Sequence, residues 1–295
     1  MDGGVSVARR EGSELAIGAF HPYDVSQIMN EPLSTLAEEG FLAGEMVGVI
    51  EVILHRYPGH FAELRAINRL ITASQYALQV HDQSAREMTS AALYIRSIAH
   101  CQAAIILLER GMAPSARAMI RCALEGLFNL GACASDWRLA LSFLDADQID
   151  RKRRAKYLTE VQDRLSRTNL EEQDLAQLTA QIQENIDALG AKGLRTREMA
   201  KAAGLEDLYL TAYATLSGAV HSSAGDIDEH FSRPTGDQSS ELLTEPAVEG
   251  LETPLLVLSE TMIGLVRAAA KVFSLDIVER CEEHLSELHK FYKTG

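Results

Sequence analysis

"AAIILLERGMAPSARAMIRCALEGLFNLG", residues 103–131, decides the fold. Apolar residues run continuously up to Leu108, then Gly111 and Pro114 follow within six positions. Glycine suits the residue just past a helix, and proline suits the first turn of the next. Two apolar helices, Ser84–Arg110 and Pro114–Ala134, are therefore expected as antiparallel neighbours joined by a short turn. Within the second, Arg117, Arg121 and Glu125 are the sole charges, spaced by four, and Asn129 continues their line. So narrow a stripe reads as a charged seam facing a polar pocket rather than as a wet face. Burial there would demand pairing between Arg121 and Glu125.

The same pattern extends outward. Residues 30–59 read as one helix, with Asn30 as cap and Pro32 in its first turn, stopping at "YPG". A helix over His60–Gln79 follows. Residues 136–190 read as a charged helical hairpin broken near "RTNLEE", with Asn169 capping its second arm. "GAKGLRTREMAKAAGLED" is read as a short link, residues 232–253 as a long loop, and Pro254–Phe273 and Leu275–Tyr292 as closing helices. The expectation is an all-α bundle of roughly eight to ten mostly antiparallel helices. It comprises a disordered start over 1–22 and a single helical domain over 23–295.

Composition agrees. The 295 residues are 46% hydrophobic but only 6% aromatic, and β-branched runs are scarce beside Ala and Leu. A net charge of −14 argues against a broad nucleic-acid surface, which needs clustered Lys and Arg. The one basic run, "RKRRAKY" at Arg151–Tyr157, reads as a solvated helix face. Cys101, Cys122, Cys133 and Cys281 lack Cys-x-x-Cys spacing and read as reduced core residues. With no signal-like start, and with the longest apolar segment near "AAIILL" too short to span a bilayer, the expected location is the cytoplasm, away from membranes.

A second stretch stands out. Leu208–Gly225, "LYLTAYATLSGAVHSSAG", carries no Asp, Glu, Lys or Arg in eighteen residues, which predicts a helix surrounded by others. On it Tyr213, Ser217 and His221 form one stripe at intervals of four. Counting out from the turn at Met112 sets His100 level with Glu125 in the antiparallel pair, and Arg96 one turn beyond. A cluster of Arg96, His100, Arg121 and Glu125 follows.

These two stretches, an Ala-rich helix carrying Arg121 and Glu125 after a Leu–x–x–Gly ending, then Tyr213–x–x–x–Ser217–x–x–x–His221, resemble a bacterial helical family of unknown function, numbered fifty-six seventy-seven. The resemblance spans roughly residues 60–230. It implies an all-helical fold with Arg121, Glu125 and His221 as shared polar positions, and brings no substrate or reaction.

Three activities fit this inventory. The favoured one is a ligand-sensing or partner-binding module in which Arg117, Arg121, His100, Arg96, Ser217 and Tyr213 take a small anionic ligand; a protein partner or a homodimer is the variant of that reading. The alternative is a defence or toxin-type hydrolase with His221, Glu125 and Arg121 as catalytic residues. The Arg–x4–6–His signature of helical HEPN ribonucleases is absent, since Arg56/His60, Arg96/His100 and Arg280/His284 are each one residue too close. The third is a divalent-metal site on His221, Asp226 and His230, although no Glu-x-x-His pair of the bundle-core type occurs. No cofactor is otherwise expected, and phosphate-loop, nucleophile-elbow and zinc-protease motifs are lacking.

Overall fold

The computed structural model describes residues 35–81, 83–161, 172–221, 224, 227, 230–231 and 242–293. Its elements, in chain order, are α1 (Thr35–Glu39), α2 (Met46–Arg56), α3 (Pro58–Gln75), α4 (Ala85–Glu109), α5 (Ala113–Ser135), α6 (Trp137–Val161), α7 (Glu172–Leu189) and α8 (Thr196–Ala202). Next comes a composite α9, built from Glu206–Leu208, a π-helical turn at Tyr209–Tyr213, and Ala214–His221. The chain ends in α10 (Glu252–Phe273) and α11 (Val278–Lys293). The fold is all-α, with no β-strand among the described residues beyond one isolated bridge between Phe231 and Leu242.

The α4–α5 pair forms as its turn chemistry dictates. Ser84 caps α4 by accepting from the Glu87 amide at 3.2 Å. At the other end Gly111 adopts φ +69°, and Met112 donates back to the Leu107 carbonyl at 2.9 Å. A side chain at 111 would also strike Ala247, whose amide bonds the Gly111 carbonyl at 2.9 Å. Glycine is required there twice over.

Helix α5 is the centre of the molecule. It packs against α4, α10, α8, α9 and α6, and its inner face (Ile120, Ala123, Leu124, Leu127, Phe128) is fully buried. Small residues let the helices close on one another. At Gly126 a Cβ would lie 2.0 Å from Ser97 Oγ of α4, so the backbones meet there and fix the antiparallel register.

Several sequence expectations change. The single helix over 30–59 is broken: Gly40 turns at φ +58° and Ala43 is extended, dividing α1 and a short 3-10 turn from α2. Asn30, Pro32 and Asn169 lie outside the described residues. The link at 190–207 contains helix α8, whose Met199 and Ala200 pack into the core. The uncharged helix is not enclosed. Leu210 is 52% exposed and Val220 39%, and Thr211, Ala214 and Thr215 face outward with them. Its outer face avoids charge by using hydroxyls that bond their own backbone, Thr211 to the Asp207 carbonyl and Thr215 to the Thr211 carbonyl.

Among the described residues α4 is long and apolar enough to cross a membrane by length and composition, more than "AAIILL" alone suggests. Its inner face is packed against α5 and α10, as in a core helix. The basic run on α6 is ion-paired on the surface: Arg151 and Arg154 share Asp147, and Arg153 meets Asp150 at 3.3 Å. That is the solvated face the sequence suggested. Cys101, Cys133 and Cys281 are buried and Cys122 half-buried, all as free thiols.

Candidate functional site

Arg121, two turns into α5, organises the site. Its Nη2 donates to the Tyr213 hydroxyl at 2.7 Å, its Nη1 to Glu125 Oε2 at 3.2 Å, and its Nε to Ser217 Oγ at 3.3 Å. The Tyr213 hydroxyl in turn donates to Glu125 Oε1 at 2.9 Å, and Thr196 Oγ1 reaches the same oxygen at 3.4 Å. Three segments remote in sequence, α5, the start of α8 and α9, thus meet on one carboxylate. The Arg121 side chain is only 13% exposed, whereas that of Glu125 is 35% exposed. The guanidinium is held inside and the carboxylate opens outward.

Local structure explains how Tyr213 arrives there. It ends the π-helical turn Tyr209–Tyr213, whose wider winding departs from the α-helical course before Ala214 resumes it. Such turns recur at functional positions because they re-aim a side chain. Tyr213 stacks on Tyr209 with centroids 5.0 Å apart, and Phe128 meets both rings edge-on. Arg121 Cζ lies 4.7 Å from the Tyr213 centroid, within cation–π range. Ser217 is fixed by donating to the Tyr213 carbonyl at 2.8 Å. Burial, with the Glu125 carboxylate beside it, pushes the Tyr213 hydroxyl up to about 12.

The outward line of α5 is half-buried along its length: Arg117, Ala118, Arg121, Cys122, Glu125 and Asn129 are neither covered nor open. It lies between α4 on one side and α8 and α9 on the other. Arg96 and His100 stand on the α4 side. Arg96 is exposed, His100 is half-buried, and the Nδ1 atom of His100 is buried without a hydrogen-bond partner. Burial first, and Arg96 second, hold the His100 imidazole below the usual histidine range, with the Cys122 backbone opposing them.

The sequence-derived residues therefore divide. Arg121, Glu125, Tyr213 and Ser217 form one bonded network. Arg96 and His100 lie beside Cys122 and are not hydrogen-bonded to Arg121 or Glu125, so the expected four-residue cluster is two adjoining groups. Ser97 lies against Gly126, which sets His100 closer to Cys122 than to Glu125; successive α5 residues point about 100° apart, and Cys122 rather than Arg121 turns toward α4. Arg117 is half-buried on the same line. His221 ends α9, and its side chain, like all of Asp226, lies outside the described residues. His230 is exposed beside the α4–α5 turn, near Gly111 and Pro114, well before Arg121 along α5. Among the described residues no three His, Cys, Asp or Glu side chains are arranged to hold a metal ion.

Sequence reasoning missed Thr196, Cys122 and the π turn. The Thr196–Arg197–Glu198 start of α8 carried a helix-start signal, but nothing local tied it to Glu125.

No curated protein and no solved structure matches the chain. The profile of a family of unknown function, DUF5677, matches residues 87–239, which run from the first turn of α4 past the end of α9 and hold every member of the Arg121 network. That span is just over half of the 295 residues, and the chain belongs to the DUF5677 family of unknown function.

Proposed function

We propose that this chain is a recognition module whose half-buried polar line on α5 takes a small polar ligand. The observation that carries the reading is the Arg121 network. A buried guanidinium bonded to three side chains, with its partner carboxylate turned outward, is a site whose ordering cost is met before any ligand arrives. Two of the five guanidinium N–H donors remain beyond those three bonds.

A defence-type hydrolase using Glu125 and His221 is the weaker alternative. A general base needs a free lone pair facing substrate, and three of the roughly four lone-pair sites on Glu125 already accept from Arg121, Tyr213 and Thr196. Free thiols suit a cytoplasmic setting.

A thermal-shift screen against a broad metabolite library tests the proposal. A ligand at a hundred times its Kd should stabilise the fold by about 2.7 kcal/mol, a shift of roughly 5–10 °C. The same ligand should lose most of its effect in Ser217→Ala. A library without a single shift, or a hit indifferent to Ser217, overturns the reading.

A further inference from the structure

Helix α4 carries one formal charge between Glu87 and Glu109, and it is Arg96. Around it the outward side of the helix is apolar: Met88, Ile95 and Ile106 are 50%, 47% and 55% exposed. Arg96 is in no ion pair with any described carboxylate, although the chain carries 42 acidic residues against 28 basic ones. One turn on, His100 holds a buried nitrogen with no partner. The close contact of Ser97 with Gly126 sets both residues opposite the Cys122–Leu127 stretch of α5.

We propose that Arg96 and His100 of α4, with Arg121 of α5, form an oxyanion subsite beside Cys122, which receives the phosphate or carboxylate group of the ligand. The proposal rests on the recognition reading above and assigns the ligand its charge.

The local charge count supports it. Among the described residues Arg96 and Arg121 bring two guanidinium groups near Cys122, and the carboxylate beside them, Glu125, is already bonded to Arg121. The Cys122 thiol feels Glu125, Arg121 and Arg96 together, which locates all three around the floor residue between the two groups. The site is graded in depth, from exposed Arg96 at the rim to half-buried His100 and Cys122 and the mostly buried Arg121. An oxyanion entering over Cys122 would meet a flexible cation first. It would then meet the half-buried His100 imidazole, and lastly the remaining N–H donors of a fixed guanidinium.

Cys122 supplies the reporter, because the other three cysteines are buried. The experiment follows iodoacetamide alkylation of each cysteine by peptide mass spectrometry in the full chain. Inorganic phosphate and succinate are titrated separately, with sodium chloride at matched ionic strength as control. In the wild type one or both oxyanions slow Cys122 alkylation saturably, with half-effect at about 1–10 mM, a range typical of one small anion on a few charged donors. Phosphate alone acting identifies a phosphate-bearing ligand, and succinate alone a carboxylate. Arg96→Gln and His100→Gln each raise the half-effect concentration about tenfold while the far-ultraviolet circular dichroism is unchanged. Protection no greater than with chloride, or equal protection in both variants, overturns the subsite. If a metabolite binds through Ser217 yet neither anion protects Cys122, the subsite falls and the recognition reading stands. Arg96-dependent protection beside a silent metabolite screen keeps the subsite and confines the failure to that reading.

Discussion

Arg121 and Tyr213, 92 positions apart, meet at 2.7 Å, guanidinium to phenol, and this contact joins the central helix to the π turn of α9. Both groups also bond Glu125, so each member of the triangle is held by two others. Removing one member therefore strands the rest, which gives the cluster measurable consequences.

Glu125→Leu should destabilise by about 2 kcal/mol, because it leaves the mostly buried Arg121 without its carboxylate. Glu125→Lys should cost more, since it adds a like charge. The double variant Arg121→Met/Glu125→Leu should recover at least half of the loss seen for Glu125→Leu, as expected when an ion pair gives way to apolar packing. Urea unfolding measures all three. Equal losses for Leu and Lys would mean a wet, unpaired face.

Gly126→Ala should destabilise by about 1–3 kcal/mol despite alanine's better helix propensity, because the new Cβ lies 2.0 Å from Ser97 Oγ. Ser97→Ala in the same chain should restore much of the loss, since the Ser97 Cβ would stand at 3.2 Å. Thermal melts of the single and double variants decide this. No rescue would show that another neighbour sets the α4–α5 distance.

Arg86 closes the far end of α5 by donating from Nε to the Cys133 carbonyl at 3.3 Å and from Nη2 to the Ala134 carbonyl. A cation on the last carbonyls of a helix both satisfies them and meets the negative end of its dipole. Arg86→Met, which keeps most of the aliphatic stem, should cost about 1–2 kcal/mol in chemical denaturation. A cost near zero would mean that these carbonyls turn to water instead.

The Tyr213 hydroxyl, pushed up to about 12 in the fold, sits above its unfolded value near 10. Folding therefore favours the protonated phenol. Its contribution is intact below about pH 10 and is lost as pH rises toward 12. Tyr213→Phe should be less stable than the wild type at neutral pH and should show a shallower decline over that alkaline window. Parallel slopes for the two proteins would place the phenol in a solvated setting.

Sequence conveyed the α4–α5 pair and the Arg121–Glu125 seam because each depends on local signals: Gly111 and Pro114 at the turn, and charges every four residues on an apolar helix. It also put Tyr213 and Ser217 on one stripe, which the Arg121 bonds now occupy. It could not say that the stripe faced Arg121, since this depends on how α9 docks on α5 and on a π turn with no proline or glycine to announce it. The uncharged composition of α9 misled for a related reason. Threonine, alanine and leucine suit an outward face as well as a buried one when hydroxyls satisfy the nearby carbonyls. The α1–α2 break was hidden because a left-handed glycine such as Gly40 looks like any helical glycine in sequence.

The recognition account is tested most directly by calorimetric titration of the strongest thermal-shift ligand into the wild type and into Glu125→Gln, a variant that keeps the side chain's shape but removes the charge that orders Arg121. The account predicts a single site whose Kd weakens by about tenfold or more in the variant, the worth of one charge-assisted bond. An unchanged Kd would contradict it, because the ligand would then bind away from the network on which the proposal stands.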